Sequence, residues 1–229
     1  MSFPLGVPSD LGFDGDEKFE LPPLTETEVV VDTEKTRDGM LFSLPAKNLQ
    51  EQREERRNSI NERCEHACSV VESHKEGASV MWCELNDEGD QLTRVVPNSV
   101  QIKGSMPDEK REELLIAFSD GQIKRLVTKP KIGAWGLNWQ HCHNVVTFPS
   151  HSFEQYYQSV RRCYRYGQTK QVNVTLIVNE GESGVLKSLR RKAHQCDRMF
   201  KSIISHMQDS MHLATLDYFP EPERRPSWL

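Results

Sequence analysis

Two arginines, Arg162 and Arg165, stand three residues apart in the segment Gln158 to Gln168, QSVRRCYRYGQ, and a Gly-Gln pair closes it. Residues at that spacing share a helix face, so both guanidiniums could reach one anion. A planar, permanently charged fork suits phosphate oxygens, and an arginine on a transferring phosphoryl group is typically worth about 1000-fold or more in rate. The same pattern is also the mark of a basic helix turned to solvent. Neighbouring residues have to decide between the two.

Upstream, Lys129 to Phe148 (KPKIGAWGLNWQHCHNVVTF) is a glycine-rich turn leading into a short apolar run, and Lys170 to Val178 (KQVNVTLIV) reads as a strand just after the arginines. The elements that would carry these segments alternate. Candidate strands are Ser79 to Cys83, Val100 to Lys103, Lys124 to Thr128, Asn144 to Phe148 and Gln171 to Val178. Helical stretches at Pro107 to Ser119 and Phe153 to Tyr166, with a turn near Ala134 to Gln140, separate them. Such alternation predicts an α/β fold with a mainly parallel sheet covered on both faces, and ligands bound beyond the carboxyl ends of its strands. Trp82 and Trp139 are expected in the core.

Flanking this region, Met1 to Pro23 is rich in Pro, Gly and Asp and is expected to be poorly ordered or draped on the surface. From Pro45 to Ser73, Leu49, Ile60, Cys64, Ala67 and Val71 fall at helical spacings, which predicts one long amphipathic helix. Asp87-Glu88-Gly89-Asp90 reads as an exposed turn. Glu182 to Leu213 reads as one or two helices, and Phe219 to Leu229 as a Pro-rich tail. Domains are therefore expected at residues 1–40 (acidic leader and strand), 41–75 (amphipathic helix), 76–180 (α/β domain) and 181–229 (basic helical extension).

GxxGLNxxxxxxVVxF, then about ten residues, then QxxxRxxRxGQ and a strand resemble motifs V and VI of superfamily 2 helicases and translocases, in the Swi/Snf-type rather than the DEAD-box branch. SVMWCE, Ser79 to Glu84, resembles the motif IV strand, and Gln101 to Gly121 the Gly-Ser turn, helix and Phe that follow it. LPPLTETEVVVD, Leu21 to Asp32, resembles the connector strand after the first RecA-like half. The resemblance implies a RecA-like three-layer domain, the C-terminal half of an ATP-driven motor on DNA, with a bacterial or phage-like setting. It places Arg162 and Arg165 as the catalytic arginines. Gly136, Asn138 and Gln158 fall at the nucleotide. Gly104, Ser105, Lys129 and Lys131 fall at the nucleic-acid backbone, Lys103 could add a further phosphate contact, and Trp135 could stack on the strand. Lys129-Pro130-Lys131 departs from the usual Thr-Arg or Ser-Arg pair, and Arg161 stands where an acid is usual.

No GxxxxGK[ST] phosphate loop and no strand ending in a DExx pair occurs in the sequence. ATP and magnesium are accordingly expected only in a complete motor, with a first RecA-like half supplied in cis or in trans and no tight cofactor on this chain alone. Two alternatives stay open: a free-standing DNA-binding or regulatory module, and an in-trans subunit of a split motor.

Charge is uneven. Gln155 to Ser202 holds ten Lys or Arg against three Asp or Glu, whereas Met1 to Lys35 holds nine acids against two bases. A local excess of +7 around the arginine motif is the footprint of a nucleic-acid or nucleotide face. The absence of a long apolar run or signal-like start argues against a membrane partner. Six cysteines without paired spacing suggest reduced thiols and a cytoplasmic setting. His141-Cys142-His143 with Cys64, His66 and Cys68 makes a poor zinc site, because adjacent residues in an extended segment point to opposite faces, so no metal ligands are assigned.

Overall fold

A computed structural model describes residues 7–32, 49–74, 76–133 and 136–217. Six parallel strands form one sheet: β1 (Leu24–Val31), β2 (Ala78–Trp82), β3 (Ser99–Gln101), β4 (Arg125–Thr128), β5 (Cys142–Thr147) and β6 (Val172–Asn179). Their spatial order is β1-β6-β5-β2-β4-β3, and every pairing is parallel. Helices are α1 (Leu49–Asn58), α2 (Ile60–Ser73), α3 (Asn86–Val95), α4 (Asp108–Ser119), α5 (Pro130–Gly133), α6 (Phe153–Arg161) and α7 (Ser183–Asp217).

Alternation along the strands builds two cores. Val80 and Trp82 of β2 face one layer with Leu126, Val145, Val174 and Leu176, packed under Phe118 of α4, Val160 of α6 and Leu189 of α7. Met81, between them, faces the other layer with Val127, Val146 and Ile177, under Cys64, Ala67 and Val71 of α2 and Leu92 of α3. Period two in the strands and spacings of three and four in α2 are what a three-layer sandwich requires. Trp82 and Trp139 are both buried and stacked at 5.6 Å between ring centroids, and Phe118 meets Trp139 edge-on at 5.0 Å. The RecA-like three-layer expectation is met, and the strand at 24–31 joins the sheet at its β6 edge.

Gly133 closes α5 against this aromatic pair. A Cβ there would lie 3.0 Å from Thr128 Cγ2, 3.1 Å from Trp139 Cη2 and 3.2 Å from Trp82 Cζ3. Gly133→Ala is expected to cost about 1–3 kcal/mol by overpacking, read as a lowered urea midpoint with an unchanged slope.

Two sequence expectations are corrected. The amphipathic stretch is not one helix: it breaks at Ser59, whose Oγ donates to the Glu55 carbonyl (2.9 Å) and accepts from Asn179 Nδ2 (2.8 Å) and Arg63 Nε (3.0 Å). The part of that stretch before residue 49 lies outside the described residues. Secondly, Asp87-Glu88-Gly89-Asp90 is no exposed turn but the first half of α3. Glu88 is fully buried, accepting from the Glu84 and Leu85 amides at 2.8 and 2.9 Å and pairing with Arg63 at 2.8 Å. Gly89 lies close under β3, where a Cβ would sit 2.4 Å from Gln101 Nε2 and 3.2 Å from Cys83 Sγ. The described part of the leader carries two short 3₁₀ turns, Pro8–Leu11 and Asp16–Lys18.

Candidate nucleotide and nucleic-acid interface

Helix α6 starts at the carboxyl end of β5, where Ser152 Oγ accepts from the Gln155 amide at 3.3 Å. Since β6 is parallel to β5, α6 must run back along the sheet before β6 can begin. The arginines therefore lie towards the amino-terminal edge of β5, not beyond the carboxyl ends of the strands as alternation alone suggests. They also do not share a helix face: α6 ends at Arg161, Arg162 is its C-cap, and Arg165 falls in the turn that follows. That turn is closed by Gln168 N donating to the Arg165 carbonyl at 3.0 Å, with Gly167 at φ +91°.

Tertiary contacts, not helical periodicity, bring the arginines to the glycine-rich segment. Arg162 Nη1 donates to the Leu137 carbonyl at 2.7 Å, and its Nη2 and Nε donate to Gln158 Oε1 and the Gln158 carbonyl at 3.2 and 3.4 Å. The Arg162 carbonyl in turn accepts from the Trp139 amide at 2.8 Å. Arg165 Nη1 donates to Asn138 Oδ1. Gly136 opens this turn at φ +77°, a conformation that favours glycine, and a Cβ there would meet no heavy atom within 4 Å. Gly136, Asn138, Gln158, Arg162 and Arg165 thus form one assembly.

Among the described residues neither guanidinium of the pair meets a carboxylate. Burial, then the positive charges of Arg165 and Arg161, hold the Arg162 pKa below its ordinary value. The group remains a cation, since an arginine does not deprotonate in proteins. An anion arriving here would relieve mutual repulsion, which makes the site electrostatically receptive. Arg161 lies 5.9 Å over the Tyr157 ring.

A second group lies at the carboxyl ends of the adjacent strands β3 and β4. Gly104 and Ser105 form an exposed turn after β3, closed by Met106 N donating to the Lys103 carbonyl at 3.2 Å. Lys131 is exposed on α5 and Lys129 is half-buried, its carbonyl accepting from the Ile132 and Gly133 amides. Gly104 is near Ile132, since a Cβ on it would stand 3.7 Å from Ile132 Cδ1. Lys103 is already engaged, 2.6 Å from Asp90. Trp135 lies outside the described residues. A groove of about 430 Å³, lined by Asp108, Arg111 and Glu112 of α4 and by Lys131, Ile132 and Leu137, runs between α4 and the glycine-rich segment.

Sequence reasoning gave no role to Gln168, although it is buried and organises the turn. Its Nε2 donates to the Cys142 and Cys163 carbonyls at 3.2 and 3.1 Å, and its Oε1 accepts from the Lys170 amide at 2.9 Å. Its place in the closing Gly-Gln pair was the one available signal. Among the described residues no group of three or more His, Cys, Asp or Glu side chains is placed to hold a metal ion, and no helix is long and apolar enough to cross a membrane.

A parallel α/β sandwich in which a glycine-rich turn is bonded to a following arginine motif is the architecture of a RecA-like helicase domain. Residues 62–167 match the model of the helicase conserved C-terminal domain. The TATA-binding protein-associated factor MOT1 of Saccharomyces cerevisiae is 28% identical over 123 residues, covering 49% of this chain and 6% of that protein. The DNA repair protein RAD5 of Yarrowia lipolytica is 29% identical over 125 residues, 52% of this chain and 12% of its own length. The ATP-dependent helicase FUN30 of Saccharomyces cerevisiae is 27% identical over 113 residues, 48% of this chain and 9% of that protein. In fold, the C-terminal part of the Fun30 ATPase domain superposes with a TM-score of 0.50 and 19% identity over 69% of this chain and 55% of that one. A DEAD box protein from Methanococcus jannaschii gives 0.50 and 20% over 58% and 37%.

Residues 62–167 are a helicase C-terminal domain, similar in sequence to superfamily 2 proteins of the Swi/Snf type. The matched stretch spans no more than 12% of the length of those curated relatives.

Proposed function

We propose that this chain is the second motor half of an ATP-dependent DNA translocase or helicase. In this reading ATP binds between this half and a first RecA-like half, present in cis or in trans. The arginine motif is drawn towards its phosphates, and hydrolysis releases it; alternating closure and opening advances the protein along the strand. The observation that supports it is the bonded pair of segments, Arg162 to Leu137 and Arg165 to Asn138, whose guanidiniums meet no carboxylate among the described residues. Magnesium, bound in the complete motor, would neutralise phosphate charge. The residues described in this half would offer cations and main-chain groups to the nucleotide, and carboxylates for the metal would come from the other half.

DNA is gripped through its backbone by the Gly104-Ser105 turn with Lys129 and Lys131, contacts that carry no sequence information. The test is DNA binding by this chain at a series of salt concentrations. Binding is expected to weaken steeply as salt rises, with Lys131→Ala lowering the slope of log K against log salt by about one on every sequence tried. Salt-independent binding, or strong preference for one sequence, would refute the backbone grip. ATP hydrolysis measured in the same samples is expected to be absent until a phosphate-loop half is supplied. Continued absence in its presence would favour a regulatory module over a motor half.

A further inference from the structure

Arg162 and Arg165 look equivalent in the sequence, and their surroundings are not. Arg162 commits all three of its guanidinium nitrogens: Nη1 to the Leu137 carbonyl (2.7 Å), Nη2 to Gln158 Oε1 (3.2 Å) and Nε to the Gln158 carbonyl (3.4 Å). Its own carbonyl receives the Trp139 amide at 2.8 Å. Side chain and main chain of one residue therefore hold the turn on both sides of Asn138. For Arg162 to reach an anion, the Leu137 carbonyl would lose a charge-assisted bond, one of the stronger kinds in proteins.

Arg165 stands differently. Its backbone is fixed, because its carbonyl accepts from Gln168 N and the buried Gln168 side chain ties that turn to Cys142 and Cys163. The side chain itself meets the amide oxygen of exposed Asn138. Asn138 is exposed and supplies a single acceptor, where Arg162 has three, so a phosphate oxygen, which forms the stronger bond with a guanidinium, can replace it. The exchange moves one side chain and leaves the main chain in place.

We infer that the two arginines do different jobs: Arg162 is a positioning residue that holds the glycine-rich turn to the end of α6, and Arg165, held in reserve on Asn138, is the group that travels to the anion. The inference rests on the motor reading for the identity of that anion, but the bracing role of Arg162 needs neither nucleotide nor DNA. Asn138 then serves as the resting place of Arg165, a role distinct from contact with a sugar hydroxyl.

The test is hydrogen exchange on the full chain without ligands, following a peptide spanning residues 136–142, which carries the Trp139 amide. Arg162→Met keeps the aliphatic stem and removes every donor; exchange of that amide is expected to accelerate about tenfold or more. Arg162→Lys, with one ammonium in place of the fork, is expected to fall between Met and wild type. Arg165→Met is expected to leave the peptide at wild-type rates. Equal effects of the two Met variants, or wild-type protection in Arg162→Met, would overturn the division of labour. Should Arg162→Met not fold, the Lys variant decides, partial loss confined to this peptide supporting the inference and wild-type protection refuting it. A motor that never hydrolysed ATP would refute the motor reading and leave this result standing.

Discussion

Arg165→Ala, in a motor completed with its phosphate-loop half, is expected to lower DNA-stimulated ATP turnover about 1000-fold or more while leaving DNA affinity within a few-fold of wild type. The size follows from the work asked of the group. A guanidinium that meets developing charge in a water-poor cleft acts only in the transition state, so its loss appears in kcat as well as in kcat/KM. DNA affinity is spared because the backbone-gripping candidates are other residues, Gly104, Ser105 and Lys131 at the carboxyl ends of β3 and β4, whereas Arg165 lies in the turn after α6. Arg165→Lys is expected to recover little, since an ammonium cannot present a planar fork. Loss of DNA binding with intact turnover would refute the assignment.

The second large effect is on stability. Glu88 is fully buried, 2.8 Å from Arg63, itself fully buried, and 3.9 Å from Arg56, which is bonded to Glu182 at 2.6 Å and to the Pro149 carbonyl. Glu88→Gln keeps the shape and deletes the charge, leaving Arg63 uncompensated. Breaking a buried pair in this way costs about 3–5 kcal/mol, to be read from urea denaturation of the chain. Burial pushes the Glu88 carboxyl up, but Arg63, Arg56 and the two backbone amides together outweigh it and hold the pKa below its ordinary 4.5. A depressed folded-state pKa means that the contribution is fully present above that ordinary value and is lost as pH falls through the folded one. Wild type should therefore lose stability on acidification below about 4.5, and Glu88→Gln should lack that component. Parallel acid profiles for the two proteins would show that the carboxylate is not the charged partner drawn here.

Much of this was legible because the informative residues are neighbours in sequence. The arginine motif, the glycine-rich turn and the strand cores are each contained in short segments, and their order carried the fold and the family. What failed were inferences about direction and partners. α3 was hidden because Asp, Gly and Asp within four residues favour turns locally, while the reasons for helix there are remote: Arg63 pairs with Glu88 from α2, and Gln101 crowds Gly89 from β3. The break at Ser59 depends on Asn179, a hundred and more residues downstream. Arg162 and Arg165 were read as sharing a helix face, which does not hold, since Arg162 is the C-cap of α6 and Arg165 lies beyond it; they meet the Gly136 to Asn138 turn instead. Their true link is main-chain carbonyls and an amide, groups that leave no trace in a spacing pattern.

The edge strand β1 bears on how this protein comes to exist at all. Leu24 aligns with Val172 and Val31 with Asn179, so β1 finds its only described partner strand among nearly the last residues of the sheet to be synthesised. Until β6 is made, β1 lacks the strand it pairs with, and an unpaired, valine-rich strand is the kind of segment that recruits other chains. Glu26 and Glu28 alternate with Thr25 and Thr27 along it, and their charges repel a second copy of the same strand until β6 emerges. Arg190, on a helix made later still, then binds Glu28 and occupies one of those charges after the native pairing is in place.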